Sequence, residues 1–305
     1  MYYPLLFLLA LPSLILAQTD YPQKEIELSE LAMRIHQETD SFNRLLLAQS
    51  LKNELQTTLE DTQSYKYPFA DLKGISVLNA PNQSFRIFSW ELYVDKDHYT
   101  QFGFIQKADG QLFFLEDKSD EMRSPQFGRH SADNWYGALY YNLQPFESNG
   151  KEYYLLFGRD SYSFFDRRKI LDILYFDRKG APKFGQNIID IKDGRGMKRT
   201  VSRHIVQYSA AVSAVLNYNP DQQKVIFDHL IYGRAVPGAP ASNVPDGSYC
   251  GLELKKGRWV YIDKVFKDDP NNVLVNDQSP IEIMKRTPKK KRENNLQKMF
   301  GNRKP

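Results

Sequence analysis

The chain has 305 residues, 41% of them hydrophobic, which is enough for a sizeable core and too apolar for general disorder. Its single cysteine, Cys250, excludes an intramolecular disulfide and a cysteine-rich zinc site. The formal net charge of +4 is uneven: from Lys285 onward nine Lys/Arg stand against Glu293, a local +8, which leaves −4 for the rest of the chain.

An apolar run from Leu5 to Ala17 opens the chain and is followed by Gln18, Thr19 and Asp20. It is too short for a spanning helix, which needs about 18–20 apolar residues, and Pro12 lies inside it. Its length is that of a signal-peptide core ending in a small residue, although no Lys or Arg precedes it and Ile15 sits at −3. Residues 1–17 are therefore expected to be a signal peptide. The mature chain then has no transmembrane segment and is periplasmic or secreted. No cysteine follows the run, so a lipobox-type attachment is excluded.

Residues 25–61 carry helical spacing. Leu28, Leu31 and Ile35 recur at three- and four-residue intervals, as do Leu51, Leu55 and Leu59. Thr39-Asp40-Ser41 breaks the pattern and supplies an N-cap, so a helical hairpin over roughly 26–38 and 41–61 is expected, docked by its apolar stripes.

From Tyr67 the texture becomes β. Tyr and Phe number 19 each, and aromatics favour strands. Short runs such as Phe85 to Tyr93, Gln101 to Lys107, Gln111 to Leu115, Trp135 to Leu143, Glu152 to Phe157 and Ile170 to Phe176 alternate with turn signals. His204 to Tyr208, Val212 to Tyr218, Lys224 to Ile231, Tyr249 to Leu254 and Trp259 to Val265 continue the series. Asp109-Gly110 and Asn149-Gly150 are strong hairpin signals. The expected fold is mainly β: an antiparallel meander over 67–266, curled as a sandwich, barrel or propeller, in one domain. Two longer loops interrupt it, the glycine-rich basic stretch Asp193 to Arg199 and the proline-containing Ala235 to Gly247, which is expected not to pair as a central strand. Periodicity ends at Asp268, so 268–305 reads as mostly disordered and basic from 285.

The strings FRIFSWEL (85–92), FGFIQ, YYLLFGRD (153–160), KILDILYFD (169–177) and VIFDHL (225–230) resemble uncharacterised exported proteins of Bacteroidota. The likeness covers about 67–266. It implies export and a single domain, and it carries no site residue over.

Motifs for chemistry are weak. There is no Gly-x-Ser-x-Gly elbow, and Ser148-x-x-Lys151 lies in an expected turn rather than at a helix start. Asn217, Asn219, Asp221 and Asp228 fit part of a calcium loop, but Gln222 stands where glycine is needed. The five histidines show no zinc spacing, so neither a metal nor a cofactor is expected. Glu91, Glu116, Asp160 and Asp228 are carboxylates in or beside strands, the raw material of a glycan hydrolase. Trp90, Trp135 and Tyr136 are candidates for an aromatic platform for a ligand. Arg159 and Asp160, followed by Asp166-Arg167-Arg168-Lys169, put charge at a strand end where ligands meet β scaffolds.

The resulting expectation is a non-catalytic binding or structural protein of the cell envelope, whose partner is an unidentified envelope component or glycan. The basic tail adds attraction to an anionic surface. The alternative is a carboxylate-dependent hydrolase acting on glycan. The leader makes a direct prediction: intact mass of the protein from its native host places the mature N-terminus at Gln18, whereas a retained Met1 contradicts it.

Overall fold

The structure, a computed structural model, describes residues 19–192, 196–238 and 240–266. The expected leader (1–17), the C-terminal segment (268–305) and part of the glycine-rich loop (193–195) lie outside the described residues. The chain is mainly β, with 47% strand against 20% helix, two N-terminal helices and antiparallel sheets.

Two compact units divide the chain. The first takes residues up to 123 with 130–143 and 176–183; the second takes 124–129, 144–175 and everything from 184. The sequence drew its boundary between helices and strands, but contacts draw another, because the helical hairpin shares a core with the first strands.

In the first unit, α1 (Tyr21–Gln37) begins earlier than the apolar spacing indicates. Asp20 caps it, accepting from the Gln23 N–H, and a proline occupies the first turn, where its missing N–H costs nothing. Asp40 caps α2 (Ser41–Glu60) in the same way through the Asn43 N–H, as the break in the pattern predicts. Strands β1 (Ser76–Asn79), β2 (Phe85–Asp95), β3 (His98–Lys107) and β4 (Leu112–Glu116) form an antiparallel meander in that order. Phe88, Trp90, Leu92 and Val94, alternate residues of β2, line one face and pack with Leu28, Ala32, Leu51 and Leu55 of the helices. Gly74 is required where the chain crosses α1: its φ is +77°, and a Cβ there would stand 2.8 Å from that of Ala32.

This core also contains a charge. Arg86 is 2% exposed, and its guanidinium donates to Gln106 Oε1 at 2.8 Å, the Tyr67 carbonyl at 2.6 Å and the Ser64 carbonyl at 2.8 Å. It also lies over the rings of Tyr65, Phe69 and Phe88. Burial pulls it down to about 10.

The remaining strands are β5 (His130–Ser131), β6 (Leu139–Ser148), β7 (Lys151–Asp160), β8 (Asp166–Phe176), β9 (Pro182–Phe184), β10 (Ile189–Lys192), β11 (Lys198–Val201), β12 (His204–Ser209), β13 (Leu216–Asn219), β14 (Lys224–Gly233), β15 (Ser242–Lys255) and β16 (Arg258–Ile262). In the second unit β8 pairs antiparallel with β7 on one side and with β12 on the other. A second sheet runs β11–β10–β16–β15–β14–β13. Its β10–β16 pairing is parallel, a departure from the antiparallel rule elsewhere in that sheet.

Two sequence expectations need correction. Ser242 to Pro245, assigned to a proline loop, belong to β15 and pair with Gly233 to Leu230 of β14. Pro245 is tolerated because the register shifts there, beside a bulge between Asp228 and Leu230. Trp135 and Tyr136 precede β6 instead of starting it. A 3-10 turn over Ala132–Asn134 leads into them, and Trp135 is held by a lone parallel bridge to Asp117.

The second unit contains a fully buried ion pair, Arg203 Nε to Asp172 Oδ2 at 2.7 Å, with both side chains at 0% exposure. Arg203 also donates to the Pro125 carbonyl at 2.5 Å, and Gly185, at φ +84°, leaves room for its Nη2. Truncating one partner of such a pair strands the other charge. Arg203→Ala is therefore expected to lose about 3–5 kcal/mol in urea unfolding, and the paired Asp172→Leu/Arg203→Met change to recover most of it. A loss under about 1 kcal/mol for Arg203→Ala would contradict this role.

Candidate functional site

The three proposed platform aromatics are structural. Trp90 is 3% exposed and stacks on Phe102 and Phe104. Trp135 and Tyr136 are 0% exposed, and Trp135 Nε1 donates to the Tyr140 hydroxyl at 2.8 Å. A sugar platform needs an open ring face, and these residues have none. Large aromatics in strands were drawn into the core by the area they bury, which their sequence spacing does not reveal.

The carboxylates do not assemble in the first unit either. Glu91 pairs with Gln101 across β2–β3, and Glu116 pairs with Phe102 across β3–β4. Because Gln101 and Phe102 are neighbours, these two carboxylates fall on opposite faces of the sheet. In the second unit Asp228 is buried and accepts from the Val215 N–H at 2.5 Å; burial raises its pKa, and the Asp246 charge adds to this. The partial calcium loop is a hairpin turn in which Asn219 Oδ1 accepts from the Gln222 N–H. Among the described residues, no group of three or more His, Cys, Asp or Glu is placed to hold a metal ion. Cys250 is buried in β15 beside the Tyr261 hydroxyl, 2.8 Å away, and burial pushes its thiol pKa up.

Arg159 and Asp160 lie where the sequence placed them, at the end of β7, but they have different roles. Asp160 is buried and accepts from the Tyr162 N–H at 2.8 Å, which starts the turn into β8. Arg159 is exposed and stands directly opposite Lys169 across β7–β8. Like charges at directly opposed positions are destabilising. Burial, and then the Arg159 charge, lower the Lys169 pKa. Lys169 faces Val206 on β12, and Arg167 faces Tyr208. By alternation one sheet face thus carries Phe157 and Arg159 of β7, Arg167, Lys169 and Leu171 of β8, and His204, Val206 and Tyr208 of β12. These positions include three cations and no carboxylate. Burial raises the Tyr208 pKa, and the charges of Arg167 and Arg159 oppose that rise.

The opposite face is internally neutralised. Arg168 Nε donates to Gln207 Oε1 at 3.1 Å, and Gln207 Nε2 donates to Asp166 Oδ2 at 3.2 Å. Ser242 Oγ donates to the other oxygen of Asp166 at 2.5 Å. The Arg168 guanidinium also lies 3.2 Å from the centre of the Tyr162 ring. The charged sequence run is therefore a structural network on one face and an assembly of cations on the other. Strand alternation could have separated the two, had the register been known.

No family model, no curated protein and no solved structure matches this chain.

His204 lies on the same face. Its Nε2 is buried without a partner, its ring meets Phe227 edge-on at 4.9 Å, and burial pulls its pKa down to about 4. Folding therefore excludes its proton: the contribution to stability is full above about 6.5 and is lost as pH falls toward 4, a loss on the order of 3 kcal/mol. Urea unfolding of His204→Phe against the parent protein at several pH values should show the parent losing this extra stability between pH 6.5 and 4. Parallel curves would contradict the assignment.

Proposed function

We propose that the chain is an exported, non-catalytic binding protein of the cell envelope, periplasmic or secreted, which holds an anionic partner on the cation-bearing face of β7–β8–β12. The observation supporting this reading is the Arg159–Lys169 cross-strand pair, beside Arg167 and Tyr208, on strand positions without a carboxylate. Such a pair weakens the isolated sheet, and a bound anion converts the repulsion into two attractions. The hydrolase reading has less support, because Glu91 and Glu116 are separated by their sheet and the platform aromatics are buried.

Soluble polyphosphate tests the reading. It should raise the melting temperature of the parent protein, since a ligand bound only by the folded state stabilises it. Arg159→Gln/Lys169→Met keeps the apolar stems and removes both charges. It is expected to weaken polyphosphate binding at least about tenfold and, without the ligand, to match or exceed the parent in stability. Unchanged binding by this variant, with loss only on deleting 285–305, would assign anion binding to the tail and overturn the proposal.

A further inference from the structure

We infer that the anion met by this face is the headgroup layer of an anionic lipid bilayer, entered by the apolar loops at the same end of the second unit; the inference rests on the cationic reading above. The loop between β7 and β8 presents Phe164 and Phe165, 57% and 53% exposed, packed edge-to-face at 5.0 Å. Exposed phenylalanines on a flexible loop would collapse or cost entropy to order, but this loop is already fixed. Arg167 Nη1 donates to the carbonyls of Ser161 (2.8 Å), Ser163 and Asp166 (3.2 Å). Ser163 Oγ accepts from the Asp166 N–H, and the Phe165 carbonyl accepts from the Ala210 N–H at 2.7 Å. Tyr162 holds a left-handed φ of +51° under the Arg168 guanidinium.

A second apolar segment lies close by. The end of β14 exposes Ile231 and Tyr232 (76%), and the connection to β15 exposes Val236. From Leu230 to Pro245 the sequence has no carboxylate and one charged side chain, Arg234. Its base reaches the first loop through the Ser242–Asp166 bond, and Ser242 pairs with Gly233.

The charge around these loops selects the occupant. Arg159, Lys169 and Arg234 stand at this end; Arg167 and Arg168 are engaged in the loop clamp and the network, as Asp160 and Asp166 are in the turn and the network. At about 3.3 Å per strand residue, Arg159 and Lys169 lie some 10–15 Å behind the loop tip. Apolar and aromatic side chains outermost, with cations one step behind, match the depth order of acyl boundary and phosphate at an anionic interface. Because the loop is clamped beforehand, insertion pays little ordering entropy.

The test uses the full-length protein, so that the C-terminal segment is common to every variant. Sedimentation with phosphatidylglycerol vesicles is compared with phosphatidylcholine vesicles and with soluble polyphosphate. The parent should bind phosphatidylglycerol vesicles, and Phe164→Ser/Phe165→Ser should reduce that binding on the order of tenfold while polyphosphate binding and melting temperature stay unchanged. If that variant melts lower, Tyr232→Ser, at the end of β14, carries the same expectation. Equal vesicle binding by parent and loop variants overturns the inference. Polyphosphate binding by the parent without vesicle binding leaves the cationic reading intact, assigns it to an acidic macromolecule in solution, and also overturns the lipid. Binding to neither overturns both.

Discussion

Arg203 and Asp172, 2.7 Å apart and both without solvent, tie together three segments of the second unit. The ion pair cannot be separated in place, because either charge alone would be buried without its counterion. It joins β8 to the residue immediately before β12, and through the Pro125 carbonyl it also fixes the 124–129 segment. With Arg203 anchored, His204 must fall opposite Leu171, and the β8–β12 register follows from there. A slip of one residue would turn Tyr208 and Val206 to the other face, away from Arg167 and Lys169. The β12 side of the face proposed to bind is thus placed by a buried pair several residues away.

The first unit solves the same problem without a carboxylate. Arg86 gives its protons to two backbone carbonyls and Gln106, and its faces to three aromatic rings. These partners come from the segment after α2 and from β2 and β3, so the guanidinium joins the hairpin's exit to the sheet. Among the described residues, each unit therefore carries one buried guanidinium. The two differ in role: the one in the second unit sets the β8–β12 register, and the one in the first closes a core.

Local signals in the sequence were readable where short-range chemistry decides the structure. Asp40 caps α2, and Asn149 and Gly150 both adopt positive φ in the β6–β7 turn, as Asn-Gly predicts. The signals failed where tertiary packing decides. Trp90, Trp135 and Tyr136 share a composition that suits either a platform or a core, and only the surrounding area separates the two. The start of β15 was hidden by Pro245, because a bulge that excuses a proline leaves no mark of its own. At the candidate site Arg159 was legible as charge at a strand end. Its opposition to Lys169 was not, since that depends on the pairing register of β7 with β8, which the residues of the intervening turn do not reveal.

The central claim is that a polyanion is met by folded strands. Backbone-amide NMR of the protein titrated with polyphosphate tests it most directly, because the strands and the basic C-terminal segment report separately. Shifts concentrated at 159–169 and 206–209 are the result this account predicts. Shifts confined to 285–305, with the strand amides unmoved, would contradict it.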